Sequence, residues 1–172
     1  KRDARIVNTD GSIIFEMTDA EVPSEWSQMA SDIVISKYFR KAGVPMLDAQ
    51  GKTIKDKHGK PVTGPEKSIR QVLERMVGCW RWWGEKYNYF STKEDAQNFE
   101  DELKFMLARQ YASPNSPQWF NTGLHWAYGI KGPAQGHAYI DPDTEKLVFS
   151  TDAYSRPQPH ACFIKGVKDN LV

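Results

Sequence analysis

The stretch SIRQVLERMVGCWRWWGEKY, Ser68 to Tyr87, decides the fold class. Ile69, Val72, Leu73, Met76, Val77, Trp80 and Trp83 recur at three- and four-residue intervals, which draws one apolar stripe down a helix of about five turns. Cys79 lies beside that stripe, next to Met76 and Trp83 by helical geometry, and reads as a small buried hydrophobe rather than a reactive thiol. A second helix follows Ser91-Thr92, with Glu94 and Asp95 favouring its N-terminal dipole and a face of Ala96, Phe99, Leu103, Met106, Leu107 and Tyr111. An earlier one is expected from about Ser24, a candidate N-cap after Pro23, to Ala42. Its face is Trp26, Met29, Ala30, Ile33, Val34 and Tyr38, and Gly43 and Pro45 stop it. Three helices with short to medium connections predict a packed helical unit, mainly α with minor β (α+β).

The remaining segments are punctuation and strand. Residues 1–22 carry a short β-like alternation, Ile13-Ile14-Phe15 after Asp10-Gly11. From Pro45 to Glu66, glycines and prolines scattered among Lys52, Lys55, Lys57 and Lys60 predict a solvated, mobile loop. His137-Ala138-Tyr139-Ile140 and Lys146–Ser150 flank Asp141-Pro142-Asp143-Thr144-Glu145, the pattern of a β-hairpin with proline second in the turn. Between helix and hairpin stands S-P-N-S-P-Q-W-F-N-T-G, Ser113 to Gly123. Its two Ser-Pro pairs force extended or turn geometry, and Asn115, Ser116, Asn121 and Thr122 crowd polar groups around Trp119 and Phe120.

Composition narrows the function classes. A net charge of +1, 26% charged residues and a mean hydropathy of -0.63 give no field for nucleic acid or anionic membranes. No apolar run approaches a membrane span, and Lys1–Arg5 lack the apolar core of a signal peptide. Two cysteines, 83 residues apart, make no secreted disulfide framework and point to a reducing cytoplasm. The six tryptophans fit a Trp-rich core or a large buried interface.

Spacing alone names no enzyme. There is no phosphate-binding glycine loop, no zinc-spaced His/Cys cluster and no nucleophile elbow, and His58, His125, His137 and His160 do not pair at metal spacing. Cys162 is the open case. It follows Pro157-Gln158-Pro159-His160-Ala161 and precedes Phe163-Ile164, so it sits where a loop meets an apolar run. Such a thiol is either structural and buried, or accessible and redox-active.

Longer motifs carry a resemblance. V-P-S-E-W-S-Q (Val22–Gln28), K-Y-F-R-K-A-G-V-P (Lys37–Pro45), G-C-W-R-W-W-G (Gly78–Gly84), A-S-P-N-S-P-Q-W-F-N-T-G-L-H-W-A-Y-G-I (Ala112–Ile130) and R-P-Q-P-H-A-C-F-I (Arg156–Ile164) are similar to the N-terminal region of adenosylcobalamin (vitamin B12)-dependent, class II ribonucleotide reductases. The resemblance implies an N-terminal extension at 1–22, a helical N-terminal domain at 23–130 with a flexible loop at 45–66, and at 131–172 a β-hairpin and the first strand of the catalytic α/β barrel. It implies part of a ribonucleoside-diphosphate reductase that makes 2′-deoxyribonucleotides for DNA synthesis. Cys162 then matches the first cysteine of the redox pair, and Ser116, Ala161 and Cys162 match substrate-contacting positions. Asn115, Asn121 and Thr122 shape the same corner.

The family's implied partners are a ribonucleotide, the rest of the reductase chain, a dithiol reductant such as thioredoxin, and a second copy in a homodimer. Adenosylcobalamin would be bound mainly by parts of the enzyme not in this sequence, and no residue here is a metal ligand. The second redox cysteine, the radical cysteine and the effector site have no match, so the sequence reads as an excerpt of a longer polypeptide, inactive alone. Two alternatives stand beside this: a non-catalytic helical binding or assembly module, and a non-specific single-strand binder, which the small net charge disfavours.

Overall fold

The computed structural model describes residues 1–162, 164 and 166. The chain opens on an antiparallel hairpin, β1 (Arg2–Val7) and β2 (Ile13–Ala20), in the register Ala4↔Met17 and Ile6↔Phe15. Asp10 makes its turn, accepting hydrogen bonds from the Ser12 amide at 2.8 Å and hydroxyl at 2.6 Å. Helix α1 spans Gln28–Ile33 and runs directly into a π-helical turn, Val34–Tyr38. Two-residue strands β3 (Val44–Pro45) and β4 (Thr63–Gly64) pair next. Then come α2 (Ile69–Lys86), α3 (Lys93–Ala108), the short α4 (Ser116–Asn121) and α5 (Leu124–Tyr128), and a hairpin of β5 (Ala138–Ile140) and β6 (Leu147–Phe149). Helices with three small antiparallel sheets match the mainly α, α+β expectation.

Helix α2 forms where its stripe predicts. Ser68 caps it, and Gln71 closes a capping box by accepting from the Ser68 amide at 3.1 Å. Val72, Met76 and Val77 are fully buried, each side chain contributing about 1.5–3 kcal/mol of transfer free energy. They join Ala4, Met17, Ala20, Trp26, Ile35, Phe39, Leu107 and Trp119 in one core, so the N-terminal hairpin packs into the same core as the helices. Helix α3 is capped by Thr92, with Asp95 completing a second capping box.

The first helix departs from its reading. It starts at Gln28 behind an N-cap at Ser27, not at Ser24, because Trp26 is tied down outside it: its indole N–H donates to the Ala108 carbonyl at 2.7 Å. The later start and the π-helical turn change the phase of the buried face. Ser31, Ile35 and Phe39 are buried, whereas Met29 and Ile33, expected inside, are exposed. Tyr111 is also exposed, since α3 ends at Ala108.

Between Pro45 and Glu66 the chain is exposed, as its composition requires, yet patterned. Ile54 donates to the Met46 carbonyl and Val62 to the Ile54 carbonyl, both at 2.8 Å, making a small meander. Its two turns are the near-repeats Asp48-Ala-Gln-Gly-Lys52 and Asp56-Lys-His-Gly-Lys60. In each the aspartate accepts from the amides two and four residues on, and the glycine takes φ +77°. The expected barrel strand at Cys162–Ile164 includes Phe163, which lies outside the described residues. No described helix is long and apolar enough to cross a membrane.

Candidate functional site

The corner at Ser113–Gly123 is built by a short helix and held by a buried ion pair. Asn115 caps α4, its side chain accepting from the Gln118 amide at 3.2 Å, and Pro117 sits in the first turn, where its missing N–H costs nothing. Trp119 is buried, and its indole N–H donates to the Ser113 hydroxyl at 3.2 Å and the Pro114 carbonyl at 3.1 Å. Tyr38, from the π-helical turn, stacks on Trp119 at 5.5 Å and leans on Phe120 at 5.3 Å. The half-buried Ser116 hydroxyl lies 3.1 Å from the Tyr38 hydroxyl, so its orientation is set by another element of the fold. Thr122 is buried and hydrogen-bonds Gln118; Asn115 is exposed and Asn121 half-buried.

Beneath the corner lies Arg75, 1% exposed, against Glu66, 0% exposed. Its Nε donates to Glu66 at 2.7 Å, while Nη1 reaches the Thr122 carbonyl at 2.8 Å and Nη2 the Trp119 carbonyl at 2.9 Å. Glu66 in turn accepts from the Arg40 amide at 2.7 Å and the Tyr128 hydroxyl at 2.9 Å. Burial and the adjacent Glu66 charge raise the Tyr128 hydroxyl above its ordinary range. Sequence reading missed this pair, because charged residues default to the surface. The signal available was position: Arg75 falls on the edge of the apolar stripe, flanked by Val72, Met76 and Cys79. Gly123 closes the corner at φ +80°, where a Cβ would stand 1.8 Å from the Arg75 carbonyl oxygen. Only glycine fits there.

The two cysteines differ as the sequence suggests. Cys79 is buried, and burial pushes its thiol up to about 12 against a hydrogen bond from the Gly123 backbone. Cys162 is exposed, as is Ala161, in a segment without regular structure. That segment is anchored upstream. The Asp152 carboxyl accepts from the Tyr154 and Ser155 amides at 2.6 and 2.8 Å; burial opposes its charge, but these bonds outweigh burial and hold it below the usual carboxylate range. His137 meets the Arg156 carbonyl at 2.6 Å, and the Arg156 guanidinium lies 5.1 Å over the Tyr139 ring. Pro157–His160 then wall an aromatic cavity of about 500 Å³ with Trp83, Tyr87 and Tyr89 from the end of α2.

Ser116 therefore stands with Tyr38, and Ala161 and Cys162 stand beyond the aromatic cavity. No hydrogen bond among the described residues joins the two groups, and neither Ser116 nor Cys162 lines that cavity.

Residues 1–110 match the family model for class II vitamin B12-dependent ribonucleotide reductase, and the chain belongs to that family. A vitamin B12-dependent ribonucleotide reductase of Bradyrhizobium diazoefficiens is 53% identical over 98% of this chain, and one of Agrobacterium fabrum 51% over 98%. One of Rhodopirellula baltica is 36% identical over 99%. The chain spans only 14–15% of the length of these relatives.

Proposed function

We propose that this chain is the N-terminal part of an enzyme that reduces ribonucleotides to 2′-deoxyribonucleotides for DNA synthesis. Cys162 serves in it as the first of two redox cysteines. The observation that carries the assignment is the contrast between the thiols: Cys162 is exposed on an anchored, proline-rich segment, and Cys79 is buried with its proton held. A redox thiol needs access and a thiolate, and Cys79 has neither.

In the proposed reaction the ribose 2′ hydroxyl leaves as water. Cys162 and a second cysteine, each losing a hydrogen, supply the two electrons and end as one disulfide. An external dithiol, such as thioredoxin, then reduces that disulfide and becomes a disulfide itself. Ser116 and the backbone at Ala161–Cys162 contact the substrate, Ser116 with its hydroxyl oriented by Tyr38. Contact by both groups requires the barrel that residues 131–172 are proposed to begin, and a homodimer in the cytoplasm is the proposed setting.

Cobalamin is a corrinoid larger than the ligands that fill cavities of about 300–1,000 Å³, and the cavities described here run from about 360 to 840 Å³. Among the described residues no cluster of three His, Cys, Asp or Glu could hold a metal ion. These residues do not fit the cofactor, and it is assigned to the rest of the enzyme.

The test is turnover by the full-length reductase with a dithiol reductant. Cys162→Ser should reduce multiple turnover by about a thousandfold or more, whereas Cys79→Ala should retain activity within severalfold. Undiminished turnover by Cys162→Ser would remove the assignment.

A further inference from the structure

A second cavity, of about 470 Å³, opens on the far side of Tyr38, lined by Lys37, Tyr38, Arg40, Phe120, Asn121 and Tyr154 among others. No acidic residue lines it. Elsewhere Arg5, Arg70, Arg75, Arg81, Lys104 and Arg109 all pair with glutamates, but among the described residues Lys37 and Arg40 make no ion pair. The one carboxylate close behind, Glu66, is buried and neutralised by Arg75. Arg40 is pre-positioned: its Nε donates to the Ala42 carbonyl at 3.0 Å, Nη1 to the Tyr154 hydroxyl at 3.3 Å, and the guanidinium lies 5.3 Å over the Tyr154 ring. Nη2 has no such partner. Lys41 adds its stem only, because its ammonium donates to the Ile35 carbonyl beneath the Phe15 ring. Phe120 leaves a ring 44% exposed at the rim, and half-buried Asn121 brings an amide able to donate and accept.

The backbone that presents these groups is itself unusual. The turn Val34–Tyr38 is π-helical, closed by the Phe39 amide on the Val34 carbonyl at 3.1 Å, and such turns concentrate at functional sites. It places Lys37 and Tyr38 at the cavity and leaves Phe39 and Arg40 to turn along its wall.

We propose that this cavity binds a nucleoside phosphate, its phosphate taken by Arg40 and Lys37, its base by Phe120 and its base edge by Asn121. Unpaired cations select the phosphate through charge-assisted hydrogen bonds, and an exposed ring beside an amide selects a planar heterocycle. The site is separate from the proposed reduction site: it lies at the Phe120–Asn121 end of α4, and Ser116 at the other end does not line it.

Calorimetric titration of the protein with ATP, ADP, ribose 5-phosphate and inorganic triphosphate tests this. Saturable binding of ATP or ADP is expected, weakening as salt rises. Arg40→Gln should weaken it about tenfold and Lys37→Gln severalfold. Lys37 is exposed, so its variant reads binding without a folding defect. Phe120→Leu should weaken ATP about fivefold and leave triphosphate unchanged. Lys52→Gln/Lys60→Gln, in the exposed meander, should stay within twofold. Ser116→Ala should leave this binding intact, which keeps it distinct from failure of the reduction-site assignment. The proposal is overturned if no phosphate compound binds, or if Arg40→Gln and Lys37→Gln have no effect. It is equally overturned if the meander variant weakens binding as much as they do, if triphosphate binds as tightly as ATP, or if a single-stranded oligonucleotide binds more tightly than any mononucleotide.

Discussion

Replacing Arg75 by methionine should be among the most destabilising single changes in this protein. The guanidinium and the Glu66 carboxylate are both fully buried, 2.7 Å apart. Methionine preserves much of the volume but leaves Glu66 with the Arg40 amide and the Tyr128 hydroxyl as its remaining donors. Removing one partner of a buried pair costs about 3–5 kcal/mol, chiefly through the uncompensated charge left behind. The Trp119 and Thr122 carbonyls also lose their donor, which pushes the loss toward the upper end. At about 2–4 °C per kcal/mol for a chain of this size, the melting temperature should fall by roughly 6–20 °C.

Urea unfolding followed by tryptophan fluorescence measures the loss directly, since Trp119 sits on the affected corner. A second variant isolates the cause. Glu66→Gln in the Arg75→Met background removes the buried charge and keeps an acceptor for Arg40 and Tyr128, so it should restore about 1–3 kcal/mol. An Arg75→Met loss below about 1 kcal/mol, or no recovery in the double variant, would refute the view that this pair clamps the corner.

Two further expectations concern the same region. With an aromatic disulfide reagent at pH 8, one thiol should react promptly and the other only on unfolding, and Cys162→Ser should abolish the prompt phase. Because the folded Cys79 proton is held to about 12 against an unfolded value near 8.5, the unfolded chain binds fewer protons between those values. The Cys79 contribution to stability should therefore fall as pH rises through about 8.5–12, and Cys79→Ala should flatten that part of a urea-midpoint profile against pH. Gly123→Ala and Gly129→Ala form an internal comparison, both at left-handed φ (+80° and +66°). Gly129 has nothing within 4 Å of a built Cβ and should lose about 1–2 kcal/mol, whereas the clash at Gly123 should cost more than about 4 kcal/mol in the same unfolding assay.

Helix α2 was legible because its period and cap signals agree: the stripe of Ile69, Val72, Leu73 and Met76, Ser68 before it and Lys86-Tyr87 at its end all place it where it lies. Helix α1 was not, because its boundary is fixed by a contact 82 residues away, from Trp26 to Ala108. Sequence pattern also flattened the meander at 45–66 into a loop, since its regularity rests on two aspartate turns rather than on apolar alternation.

By itself the sequence determined the helical class, the hairpin at 138–149, the inert character of Cys79 and, through its long motifs, the family. Local periodicity, capping chemistry and residue identity suffice for those. The tertiary structure alone decided that Glu66 and Arg75 are interior, that Gly123 is irreplaceable, and that Tyr38 joins the Ser116 hydroxyl to a cation-lined cavity behind it. Each of these depends on which residues distant in sequence meet in a space without water, where an ion pair, a carbonyl or a missing Cβ acquires an energetic weight it lacks at the surface.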